Sequence, residues 1–214
     1  MNLLADRRRD EKERRRDEIL DAAAAVAGEL GIAAITMDQV ARQARLSRAL
    51  LYVYFQDKSD LHLGLCERAL ELLLQRFVTE TAKASTGRSR LAAMGRAYIG
   101  FAQELPVYFE ALARFEARDG TSMTTEGNFN GCIAGSDRLH AIMTDAILAG
   151  IADGSIRGNV GNADAVAIVL WGFMHGVIQL VATKGALLAA RGVTGEMLFE
   201  QARELALHSL GPDP

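Results

Sequence analysis

Two helix-start signals, Thr36 and Ser47, bracket the segment TMDQVARQARLS, and the short break between their helices constrains the fold more than any other feature. The Thr36 hydroxyl can accept from the backbone three residues on, and Gln39 stands where its side chain can bond back. That reciprocal pattern is a capping box. Val40 and Ala41 supply an inward side for the helix so begun. The break Arg45-Leu46-Ser47 follows, and Ser47 is a helix cap in its own right. The next stretch, SRALLYVYFQDK, reads as one short helix and a turn into another, with Asp57 capping a long helix from about Lys58 to Ala84. Upstream, Ile19, Leu20, Ala23, Val26, Ala27 and Leu30 follow helical spacing from Asp17, and Gly31 supplies the stop. Helix, short helix, tight turn, short helix is the helix-turn-helix arrangement, whose last helix can enter a major groove.

The remainder predicts more helices, at about 88–104, 107–118, 127–152, 162–184 and 194–210, with loops at 117–131 and 152–164. Half the residues are hydrophobic and only three of 214 are proline, which suits long uninterrupted helices. The expected class is all-α. Residues 1–58 hold 11 Lys+Arg against 10 Asp+Glu and the rest 13 against 17, so the basic residues worth explaining lie at the front. Residues 1–16 alternate arginine clusters with acids, the pattern of a solvated helical arm; the alternative is an arm that touches DNA.

Enzyme signatures are missing: the sequence holds no glycine-rich phosphate loop, no HExxH and no cysteine cluster. His62 and Cys66 lie four apart on one helix face, but two ligands fall short of a metal site, and no cofactor is expected. Cys66 and Cys132 lie too far apart in sequence to suggest a local staple. With no signal-like apolar stretch at the N-terminus, the expectation is a reducing, cytoplasmic setting. Residues 165–183, AVAIVLWGFMHGVIQLVAT, are uncharged and nearly long enough to span a bilayer. Because His175 and Gln179 interrupt the run and Gly172 and Gly176 stand four apart, it reads as a buried or subunit-interface helix.

The stretch ILDAAAAVAGELGIAAITMDQVARQARLSRALLYVYFQDKSDLHLGL resembles the N-terminal domain of the TetR family of bacterial transcriptional regulators. The shared pattern is a glycine-ended helix, a Thr-capped helix with Val-Ala, a turn into Ser, then Leu-Tyr-x-aromatic-Phe and a following lysine. It implies a charged arm at 1–12, a DNA-binding domain over 13–73 with its helix-turn-helix at 36–55, and a regulatory and dimerisation domain over 74–214. Its further implication is a homodimer on double-stranded operator DNA, most simply a repressor released when a small molecule occupies the C-terminal domain. The competing reading is a small-molecule binder with vestigial DNA affinity.

Residue by residue, the resemblance places backbone contacts at Tyr52, Tyr54 and Lys58, with Thr36 and Ser47 able to cap helices and still hold phosphates. Base reading falls to Arg48, Ala49, Leu50 and Val53: an arginine pairs with guanine, and small apolar groups touch a thymine methyl. Leu51 and Phe55, four apart, are expected to face inward. One departure stands out. Arg45 occupies a turn position where the family usually has glycine, so the turn either adopts another shape or costs about 1 kcal/mol, which a phosphate contact would offset.

For the regulatory part, an aromatic and methionine stripe of Met94, Tyr98, Phe101, Phe109, Leu112, Phe115 and Phe129 suggests either core or a largely apolar effector pocket. Trp171, Met174, His175 and Ile178, with Leu198, Phe199, Ala202 and Leu205, are the expected four-helix dimer interface.

Overall fold

The structure, a computed structural model, describes residues 3–117 and 128–212. Among them lie nine helices and no strand. In chain order they are α1 (Leu3–Leu30), α2 (Met37–Gln43), α3 (Arg48–Tyr54), α4 (Lys58–Thr81), α5 (Gly87–Glu104), α6 (Pro106–Glu116), α7 (Asn128–Ala152), α8 (Ala163–Ala189) and α9 (Gly195–Leu210). The arginine-rich arm is the first half of α1 rather than a separate segment; ion pairs such as Arg14–Glu18 at 2.7 Å link it along one side. Most of the expected loop 117–131 lies outside the described residues, and its last four positions are already helical. The apolar helix runs past its expected end at 184, with non-helical backbone at Lys184 marking a kink.

Two compact units result. One contains the described residues of Met1–Ala69 and Leu105–Cys132; the other contains Leu70–Glu104 and the described residues from Ile133 onward. The first therefore includes α6, which lies C-terminal to the expected boundary at 73.

In the first unit, Ile19, Leu20, Ile32, Ile35, Val40, Leu51 and Phe55 are wholly buried. Gly64 on α4 lets this core close, since a Cβ there would stand 2.7 Å from the Phe55 ring and 3.1 Å from Leu20. In the second unit the tightest approach is between backbones. A Cβ on Gly87 would meet Gly150 N at 2.1 Å and the Ala146 carbonyl at 2.3 Å, so α5 starts directly on α7. Asp153 secures that junction by accepting from the backbone N–H of Gly87 at 2.8 Å and of Ser155 at 2.9 Å. Hydrogen bonds from Ser155 and Gly87 hold its carboxyl below the usual range.

Candidate nucleic-acid interface and effector cavity

The capping box forms as the sequence predicts. Gln39 N–H donates to Thr36 Oγ1 at 3.3 Å, and Thr36 N–H donates to Gln39 Oε1 at 2.8 Å. At the other end of α2, Arg45 N–H donates to the Arg42 carbonyl at 3.1 Å and Leu46 N–H to the Ala41 carbonyl at 2.9 Å. That pair of bonds is a Schellman motif, which needs a left-handed residue at its turn. Arg45 supplies it at φ 57°, the single positive φ on a non-glycine residue among those described. The turn therefore keeps its shape without glycine and carries a strained, solvent-exposed arginine.

Ser47 then caps α3, accepting from Leu50 N–H at 3.2 Å. Only Leu51 of α3 is buried, with Phe55 just beyond it, and together they anchor the helix to the core. Everything else on α3 faces outward to some degree. Arg48, Ala49, Leu50, Tyr52 and Val53 are exposed and Tyr54 is half-buried. Val53 is 70% exposed, which no packing role explains.

Arg48 and Lys58 are both held by partners within their own unit. Arg48 pairs with Asp38 of α2 at 3.2 Å, donates to the Tyr52 hydroxyl at 3.3 Å and lies over the Tyr52 ring. Those partners, Tyr52 first and Asp38 next, raise its pKa above the ordinary arginine value. Lys58, half-buried at the start of α4, donates from Nζ to the Ala33 carbonyl at 2.6 Å. Sequence reasoning missed Asp38, because pairing between helices ten residues apart leaves no periodic signal.

The seven residues of the expected pocket do not form one lining. Met94 and Tyr98 border a cavity of about 50 Å³ in the second unit, while Phe101 is wholly buried in that unit without lining it. Phe109 and Leu112 are packed into the first unit. There Phe115 borders a separate cavity of about 190 Å³ and tilts against Phe129 at 5.9 Å. The stripe was read across helices that serve two cores, which is why it divides.

The expected dimer residues differ in their exposure on the single chain. Trp171, Met174, His175, Ile178, Phe199 and Ala202 are buried within their own unit, Leu198 is half-buried and Leu205 is exposed. On a helix apolar all round, with mean hydropathy 2.0 in its most apolar window, periodicity does not say which side meets its own core. The outward apolar side of α8 instead carries Ile168, Val169, Phe173 and Leu180.

His175 is the buried polar centre of the second unit: its Nδ1 shares a 2.7 Å hydrogen bond with the Tyr98 hydroxyl, and burial lowers its pKa. Tyr98 stacks on Trp171 with centroids 4.7 Å apart, and His140 meets Trp171 edge-on at 5.7 Å. In the first unit, burial lowers the His62 pKa, with Lys58 and Arg114 adding to the effect. A hydrogen bond with Cys132 and burial push the Cys66 thiol up, so it stays protonated. Neither a reactive thiolate nor a metal ligand is favoured there. Among the described residues, no group of three or more His, Cys, Asp or Glu could hold a metal ion.

A capped short helix, a left-handed turn and a second short helix with one buried anchor and an exposed outer side define a helix-turn-helix protein. Residues 19–64 match the family model described as bacterial regulatory proteins, tetR family. The HTH-type transcriptional regulator BetI of Rhizobium meliloti (strain 1021) is 37% identical over 82 residues, a stretch covering 38% of this chain and 40% of BetI. Among solved structures, a protein of unknown function from Rhodococcus sp. RHA1 superposes with TM-score 0.73 at 21% identity, covering 92% of this chain and 95% of that one. The MbdR regulator from Azoarcus sp. CIB follows at TM-score 0.67 and 21% identity, covering 92% and 98%. At these identities the two structures establish the fold alone. Over residues 19–64, then, the chain matches the tetR family of bacterial regulatory proteins, and beyond them the likeness is one of fold.

Proposed function

We propose that the protein is a dimeric, cytoplasmic, DNA-binding transcriptional regulator, a repressor released from its operator by a small-molecule effector. The observation that carries the reading is α3, where wholly buried Leu51 fixes a helix whose remaining residues, Arg48 and Val53 among them, face outward. A helix so anchored and so exposed suits insertion into a major groove. In that role Arg48 would exchange Asp38 and Tyr52 for a guanine edge, and Leu50 or Val53 would touch thymine methyls. Arg45, Thr36, Ser47, Tyr52 and Tyr54 would position the domain on phosphates. Lys58 would first have to leave the Ala33 carbonyl.

The dimer reading is supported by the outward side of α8. Ile168, Val169, Phe173 and Leu180 are exposed there, and Gly172 and Gly176 have open space where a Cβ would stand. Small residues four apart allow a second helix to approach closely. The most apolar window of α8 is only 33% buried, leaving much of this surface to cover. A two-fold pair of recognition helices would then read two half-sites. TetR-family regulators are often ligand-responsive, and the cavity in the second unit supports that part of the reading.

The test is fluorescence anisotropy on duplex from upstream of the protein's own gene against scrambled duplex, across a salt series. A preference of about a hundredfold or more with a steep salt slope is expected of a specific regulator making several phosphate contacts. Equal, weak binding to both, together with no enriched site in a genome-wide pull-down, would refute it.

A further inference from the structure

The cavity of the second unit has a chemistry that names its ligand class. Its wall is apolar, formed by Phe77, Leu91, Met94, Met143 and Met174 around Tyr98 and Trp171. Two polar groups on this wall are hydrogen-bond donors in deficit. The indole N–H of Trp171 and the Nε–H of Arg203 are both buried, and neither has an acceptor among the described residues. A buried donor left unmade costs about 1–3 kcal/mol, more when charged, so two on one small cavity call for an explanation. Arg203 is further held by Glu200, which accepts from its Nη1 at 2.6 Å.

Donors without acceptors, on an apolar wall, and one of them cationic: the complementary molecule is an acceptor with negative charge and an apolar body. At about 50 Å³ the cavity is narrow, which favours a slender chain over fused rings. Three methionines on the wall give it the adaptability to widen around such a chain.

We propose that this cavity binds a straight-chain aliphatic monocarboxylate, with its carboxylate on Arg203 and Trp171 and its chain between α5 and α8. As the identity of the effector, this rests on the regulator reading above; as a binding site, it stands independently. Arg203 belongs to α9 and Trp171 to α8, so a carboxylate joining them would tie these two helices together. The outward sides of the same helices carry the apolar residues Phe173, Leu180, Met197 and Leu205. Occupancy would thereby reach the surface assigned to the dimer.

Three probes of equal length separate the chemistry: octanoate, 1-octanol and octylamine, titrated into the full-length protein by calorimetry. The chain's single tryptophan, Trp171, lies on the wall, so its emission reports the same event. Octanoate is expected to bind at least tenfold more tightly than octanol, with octylamine weakest, and to shift the Trp171 emission. Arg203→Gln should remove the preference for octanoate while leaving octanol unchanged. Glu200→Gln, which frees the guanidinium from its competitor, should tighten octanoate severalfold; a purely structural Arg203 would not respond this way. Equal affinities for octanoate and octanol, or an Arg203→Gln protein with the wild-type melt and undiminished octanoate affinity, would overturn the proposal. Adding octanoate to the protein–duplex complex separates the two claims. Binding without duplex release leaves the site and refutes it as the effector site, and a protein with no duplex preference refutes the regulator while the titrations still decide the site.

Discussion

The helix-turn-helix and the apolar helix α8 were both conspicuous in the sequence, yet only one could be read in detail. In α2 and α3 each turn carries its own chemistry: Thr36 with Gln39, Arg45 in a Schellman turn, Ser47 at the next start. Such signals act within a few residues, so a sequence states them directly. In α8 the sequence offers only apolarity on every side. Which side meets its own unit depends on how α9, the next helix, and α5, from a distant part of the chain, pack against it. Local chemistry therefore predicted residues in the first case, and in the second predicted a helix without its orientation.

Gly87→Val should have the largest effect, because the new side chain would overlap the backbone of Gly150 and Ala146, which has nowhere to move. Loss of a cooperative melt for the second unit by circular dichroism is expected; a wild-type melt would show that α5 does not start on α7. In the first unit, Leu51→Ala removes a wholly buried side chain and should cost about 2–5 kcal/mol in denaturant unfolding. Val53→Ala, two residues on but outward, should leave the unfolding midpoint unchanged.

A smaller effect follows from pH. The neutral His175 is favoured by burial, so its folded pKa lies below the unfolded one. Between those two values the unfolded chain binds more protons, and stability rises with pH. The protein should thus lose stability as pH falls below the ordinary histidine pKa of about 6.5, and His62 adds in the same direction. His175→Asn should flatten part of that acid slope; an unchanged slope would mean that the ring is already protonated in the folded state.

The smallest shift is expected at the turn. Arg45→Gly relieves a left-handed non-glycine residue and should stabilise the first unit by up to about 1 kcal/mol. It should also weaken both specific and scrambled duplex and lower the salt slope by about one, as removal of one phosphate contact does.

The sequence was legible where a residue's role is set by its neighbours, and opaque where it is set by partners far along the chain. Leu51 and Phe55 as anchors follow from spacing, and Arg45 in the glycine position follows from the family resemblance. The hold of Asp38 on Arg48, the capture of Lys58 by the Ala33 carbonyl and the unmet donors of Trp171 and Arg203 are tertiary, with no periodicity to reveal them. The predicted pocket stripe divided for the same reason: Phe101 and Phe109 lie close in sequence but belong to different units.

The central claim is that the outer side of α3 reads bases while its tyrosines only position it. The direct test is to measure affinities of Arg48→Ala and Tyr52→Phe proteins for upstream and scrambled duplex at one salt concentration. Arg48→Ala should lose about 1–3 kcal/mol on the upstream duplex with little change on the scrambled one, and Tyr52→Phe should weaken both alike. A uniform loss from Arg48→Ala would contradict the account, leaving Arg48 as one more phosphate contact on a helix that does not read sequence.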